Sequence, residues 1–164
     1  MLSTTRALAA VALATLSLAF ALPAMAASTI VTVTLNNQSI STSLPDNLGM
    51  AVPGADMSKA VMSVIAVPNV VQAGEVTFKA TNKSTDFTHE MILIKVTDPH
   101  KQLPYLATDT KVDEDAAGHL GEVSELDPGK SGSLTMKLDP GTYMLLCNVP
   151  GHYMAGMWTT ITVK

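Results

Sequence analysis

From residue 28 onward, apolar and polar positions alternate with a period of two, in short runs separated by turn residues. That period belongs to half-buried β-strands. Residues 28–35 set it, with Thr29, Ile30, Val31, Thr32, Val33 and Thr34 in succession. Residues 36–43 are polar, and 44–59 carry Pro45, Asn47, Gly49, Pro53 and Gly54, so this stretch reads as loop. Residues 60–67 are apolar and β-branched enough for a core strand, ended by Pro68-Asn69. Residues 74–81 alternate again, with Val76, Phe78 and Ala80 on one face. Residues 91–96, 131–138, 142–147 and 157–163 complete the predicted strands. Two copies of Leu-Asp-Pro-Gly, at 126–129 and 138–141, are turn chemistry at both ends of one strand rather than a repeat. Residues 97–125 are the least strand-like. Asp98-Pro99 closes the strand before them, 113–117 suits one helical turn, and the whole reads as a long connection crossing between two sheets. Seven or eight short strands, many turns and no long amphipathic helix predict an all-β, Greek-key β-sandwich.

Composition narrows this further. The 164 residues are 47% hydrophobic and 15% charged, which suits one compact domain. The first 26 stand apart: a short basic start ending at Arg6, an apolar run over 7–22 broken by Thr15 and Ser17, and Ala24-Met25-Ala26. This is the layout of a cleaved secretory signal, and the run is shorter than the roughly 20 residues that span a bilayer. The expected mature chain is therefore a single domain over 27–164, exported to the periplasm and without stable membrane insertion. Its formal charge is one unit more negative than the −4 of the whole chain, and it has no arginine. A nucleic-acid partner, which needs a basic footprint, is excluded on that ground.

Export changes the reading of the lone cysteine. With one Cys in the chain no internal disulfide forms, so in an oxidising compartment Cys147 is paired between chains, free, or held by a metal. It lies five positions before His152, which lies five before Met157. Thiolate, imidazole and thioether are the donors that favour soft, redox-active copper. Pro150, Gly151 and Gly156 mark a loop between two strands that would carry all three donors at one end of a hairpin. Taken singly, each residue has a plainer explanation: a buried thiol, a surface histidine, a core methionine. Met154, between the other two donors, competes with Met157. A fourth donor must come from elsewhere, and His89 is the only other histidine followed directly by a strand. His100 and His119 sit in polar contexts and are expected to be solvated. Met50, Met57 and Met62 offer a secondary thioether site or, more simply, core packing.

Cys147-x4-His152-x4-Met157, with Pro150-Gly151-His152 inside it, Tyr143 before it and a strand after it, resembles the copper loop of the cupredoxins. These are the small type 1 blue-copper proteins, and the spacing is most similar to the rusticyanin and sulfocyanin branch. Upstream, Gly74-x-Val76-x-Phe78-x-x-x-Asn82 leading to His89 matches the family segment that supplies the first histidine ligand. The resemblance implies one copper ion held by His89, Cys147, His152 and axial Met157, with the Glu90 N–H donating to the Cys147 sulfur. It also implies a monomeric one-electron carrier, not an enzyme, that serves redox partners such as a periplasmic cytochrome or oxidase. The runner-up is a copper-buffering or copper-delivering protein. A copper enzyme would need a second site with further histidines, and only His100 and His119 remain. One departure is Glu90, where many members have an asparagine that braces the cysteine loop. It is expected to face solvent or pair with a lysine. His152 is the expected exit for the electron, ringed by Val149, Tyr153, Met154 and Ala155.

Overall fold

A computed structural model of the chain describes residues 28–37 and 43–164, so the segment read as an export signal lies outside the described residues. The strands are β1 (Thr29–Asn37), β2 (Met62–Val67), β3 (Val70–Val71), β4 (Gly74–Asn82), β5 (His89–Val96), β6 (Tyr105–Leu106), β7 (Lys111–Val112), β8 (His119–Leu126), β9 (Ser131–Leu138), β10 (Gly141–Leu146) and β11 (Trp158–Val163), with a four-residue helix α1 (Glu114–Ala117) before β8. Eight of these strands are six residues or longer, as the alternation predicts. Nine of the strands form two packed sheets, ordered β2-β1-β4-β9 and β3-β11-β10-β5-β8, and β6 and β7 pair as a separate antiparallel ribbon. β1 runs parallel to β4 and β11 parallel to β3, while the other neighbours in both sheets are antiparallel. This is the predicted β-sandwich.

The period-two pattern explains the main core. Val31, Val33 and Leu35 of β1 and Val76, Phe78 and Ala80 of β4 point between the sheets, where they meet Met91 and Leu93 of β5 and Tyr143 and Leu145 of β10. Burying a side chain of this size is worth about 1.5–3 kcal/mol each, so this layer holds the sandwich together. Tyr143 also donates its hydroxyl to Asp139 O at 2.8 Å, tying the turn before β10 to the strand. β5 is unusual in being buried on both sides. Its other face, Ile92, Ile94 and Val96, packs with Met144, Leu146, Val112 and Tyr153 into a second cluster outside the sandwich. Residues 97–118 fold back to cover that cluster, with Leu103, Tyr105 and Ala117 against it.

The expectation of a plain connection over 97–125 needs correction. The stretch contains β6, β7, α1 and the full edge strand β8. Asp113 caps α1 through its side chain, which accepts from the Ala116 N–H, so the predicted helical turn is present. β8 escapes sequence reading because Gly121 takes an inward position. A Cβ there would come within 3.0 Å of the Met136 side chain, across on the other sheet. An inward glycine leaves no apolar mark, so the alternation is lost. Gly132 does the same from β9, where a Cβ would lie 2.5 Å from Val123 Cγ1.

Candidate metal centre

His89 opens β5, at a point where the β5–β8 register shifts between His89 and Met91. The loop before it is fixed by Asn82, fully buried at the end of β4. Its Nδ2 donates to Phe87 O and Leu126 O, both at 2.7 Å, and its Oδ1 accepts from the Ser84 N–H at 2.9 Å. Cys147 follows β10 directly, and its N–H donates to Met157 O at 3.0 Å, which extends the β10–β11 ladder by one step. The turn between them brings His152 back toward the cysteine, closed by Met157 N to His152 O at 3.0 Å.

These three elements bring three donors together. His89 Nδ1 and His152 Nδ1 are 3.3 Å apart, and Cys147 Sγ lies 3.8 Å and 3.3 Å from them respectively. All three residues are buried. A point equidistant from atoms so spaced is about 2 Å from each, close to ordinary metal–imidazole and metal–thiolate bond lengths. Two imidazole nitrogens and one sulfur so placed could all share a single ion. The residues fit a soft metal ion.

The electrostatics agree. Burial pushes the Cys147 thiol up to about 12, against the opposing pull of the Glu90 and Val149 N–H groups on its sulfur. Burial lowers His89 to about 4, helped by the neighbouring His152, and lowers His152 to about 4 as well. Both imidazoles are therefore neutral at pH 7, ready as ligands, while the thiol gives up its proton only to a cation that replaces it. The Glu90 N–H lies 3.4 Å from Cys147 Sγ, as expected.

Met157 is fully buried in the same apolar cluster as Cys147. Met154 packs instead against the outer cluster, beside Tyr153. Met50 and Met62 lie in different clusters and Met57 is exposed, so these three thioethers do not pool into a second soft site. His100 is exposed as expected. His119 is not in a loop; it opens β8, partly buried between Glu114 and Glu122.

Two expectations about the surroundings are overturned. Glu90 neither faces solvent nor pairs with a lysine: it is 7% exposed, and its Oε1 is buried without a hydrogen-bond partner. The backbone alternation that turns His89 inward turns Glu90 to the outer face. His152 is only 3% exposed, and Tyr153 and Ala155 are buried too, so the expected ring of surface residues around it is not formed. Part-buried Phe87 instead packs edge-on to His152 at 6.0 Å and stacks against His89 at 6.5 Å.

Bracing of the cysteine loop comes instead from Asn148, which sequence reasoning missed. Its Oδ1 accepts from the Val112 N–H at 2.7 Å, and its Nδ2 donates to Val112 O at 3.0 Å and to Glu114 Oε1 at 2.8 Å. Further along the loop, Gly151 N donates to Thr110 O and Leu48 N to Met154 O, both at 2.8 Å. Met50 N donates to the Tyr153 hydroxyl at 2.9 Å.

Two sheets in this order, with a cysteine and two histidines converging at one end, define a cupredoxin, the class of small proteins that bind one type 1 copper ion. The family model described as "Sulfocyanin (SoxE) domain" matches residues 17–164, nearly the whole chain, and the chain belongs to the sulfocyanin family. Auracyanin-B of Chloroflexus aurantiacus is 46% identical over 50 residues, a match covering 30% of this chain and 21% of that relative's length. Among solved structures, auracyanin B superposes with a TM-score of 0.50 at 24% identity, over 85% of this chain and 91% of the other. Rusticyanin from Thiobacillus ferrooxidans gives a TM-score of 0.50 at 19% identity, over 84% of this chain and 79% of the other. At such identities the likeness is one of fold.

Proposed function

We propose that this chain is an exported single-domain copper protein that carries one electron at a time between redox partner proteins in the periplasm. His89, Cys147 and His152 would hold the ion, with Met157 as the long axial donor. The observation that carries this reading is the triangle of two neutral imidazoles and one thiol, with donor separations of 3.3–3.8 Å. Copper in such a site supplies reversible one-electron chemistry, since two nitrogens and two sulfurs suit both of its oxidation states. The chain's part is to keep those donors still. Cys147 and Met157 are locked by the β10–β11 ladder, His89 by the Asn82-braced loop, and His152 by its own turn. The N–H groups of Glu90 and Val149 withdraw charge from the sulfur, which favours the reduced state. With His152 covered, electrons would pass to a partner docked over Phe87, the ring that lies against both histidines. The role rests on the site and the family, because a fold alone does not set a function.

The test is the visible spectrum of the domain over 27–164 with one equivalent of copper(II), before and after ascorbate. An intense band that bleaches on reduction and returns on oxidation is expected. A colourless complex would mean that Cys147 does not bind copper(II), and the carrier reading would fall.

A further inference from the structure

The ribbon of β6 and β7 belongs to neither large sheet, yet it meets the copper loop at three points. Thr110 O accepts from the Gly151 N–H at 2.8 Å, one residue before His152. Val112 is bonded through both its N–H and its C=O to the side chain of Asn148, one residue after Cys147. Tyr105 packs against Tyr153, one residue after His152, with ring centroids 6.2 Å apart. Each contact falls beside a proposed donor rather than on one.

The turn that joins β6 to β7 breaks a local rule. Asp109 N donates to Leu106 O at 3.1 Å, and Thr110 then takes a φ of 53°. Glycine or asparagine is the usual occupant of such a left-handed position, and a β-branched residue there is an outlier. Thr110 is exposed, so burial does not offset the cost. Among the described residues Ala51, with a φ of 57°, shares this conformation. It directly follows the segment in which Leu48 N donates to Met154 O and Met50 N to the Tyr153 hydroxyl. Both departures from ordinary backbone therefore adjoin segments that grip the copper loop. Strain of this kind persists where the surroundings over-determine it, and it collects at functional sites.

We propose that Thr110 is a positioning residue for the copper site. Its left-handed backbone sets the carbonyl that holds Gly151, and Gly151 carries His152. This rests on the copper reading above, since it takes His152 as a ligand. Met157 N to His152 O closes the ligand turn from within, and the Thr110 carbonyl holds it from outside.

The test uses the copper(II)-loaded protein. Thr110→Pro locks φ near −65°, roughly the opposite sign to what the turn requires. It should shift the reduction potential and the visible band, and the Gly151 N–H should exchange with solvent on the order of 10-fold faster. Thr110→Gly and Thr110→Asn admit the left-handed region. They should keep the wild-type band, potential and exchange rate, and raise the urea midpoint by relieving the turn. If Thr110→Pro fails to fold, Thr110→Val replaces it, with the same changes expected on a smaller scale. An unchanged band and potential beside a lowered urea midpoint would make the turn a structural element alone and overturn the proposal. A lowered midpoint in both Thr110→Gly and Thr110→Asn would overturn it as well. If the wild-type protein takes up no copper(II), the copper reading fails by itself. The positioning of His152 is then read in the metal-free protein by NMR. There the His152 ring signals and Gly151 exchange must change in Thr110→Pro and return in Thr110→Gly, and any other pattern sinks the proposal.

Discussion

The two faces of β5 make a sharp contrast. Inward, His89, Met91 and Leu93 enter the core between the sheets, where neutral nitrogens meet a sulfur in apolar surroundings. Outward, Glu90, Ile92 and Ile94 meet a smaller cluster whose rim carries Glu114, His119, Glu122 and Lys111. The same strand thus borders one cluster of uncharged soft donors and one of carboxylates around an imidazole. Depth accounts for the difference. An ionised carboxylate is too costly to bury unpaired, so the fully enclosed site uses groups that can stay neutral until a metal arrives. The partly exposed cluster can hold charge because water reaches its edge.

Several changes would break or sharpen that contrast. Cys147→Ser has the largest expected effect: the intense visible band disappears and copper(I) binding is lost, as read by spectroscopy and competition with a copper(I) chelator. Acidification comes second. In the metal-free chain His89 and His152 are held near 4 against an ordinary value of 6.5, so the unfolded chain binds more protons between those values. Stability is present above about 6.5 and falls by a few kcal/mol as the pH drops toward 4, seen as a decline in urea midpoint. Copper should flatten this dependence, because both nitrogens are then occupied.

Asn148→Ala removes the side chain that ties the residue after Cys147 to Val112 and Glu114. It leaves the Val112 N–H and C=O without their partner and should cost about 2–4 kcal/mol in denaturant unfolding. The smallest effect on folding is that of Met157→Leu, under about 1.5 kcal/mol for a swap of similar volume. Its signature is a raised reduction potential and an altered spectrum, since the axial donor is gone. Met154→Leu, on the outer cluster, should change neither.

Sequence reading singled out the residues of the inner cluster and not those of the outer one. Three of the inner donors fall within an eleven-residue hairpin loop, where regular spacing and turn residues carry the geometry. His89 needed the resemblance of the preceding strand to a family segment. The outer cluster depends on a bulge at Leu120 and on a strand whose inward glycine hides its alternation. Neither leaves a period to read. Asn148 and Asn82 were unreadable for another reason: asparagine beside a turn is ordinary turn chemistry, and only tertiary structure shows what its amide reaches.

The anchors of the copper loop carry a lesson for anyone wishing to transplant it. Residues 147–157 hold three of the four proposed donors and look like a portable cassette. Yet Asn148 is tied to Val112, Gly151 to Thr110, Met154 to Leu48 and Tyr153 to Met50, all outside the hairpin. A graft of the loop alone would move the ligands and leave their scaffolding behind. In a host without counterparts to residues 48–50 and 110–112, the donors would arrive in sequence but not in position.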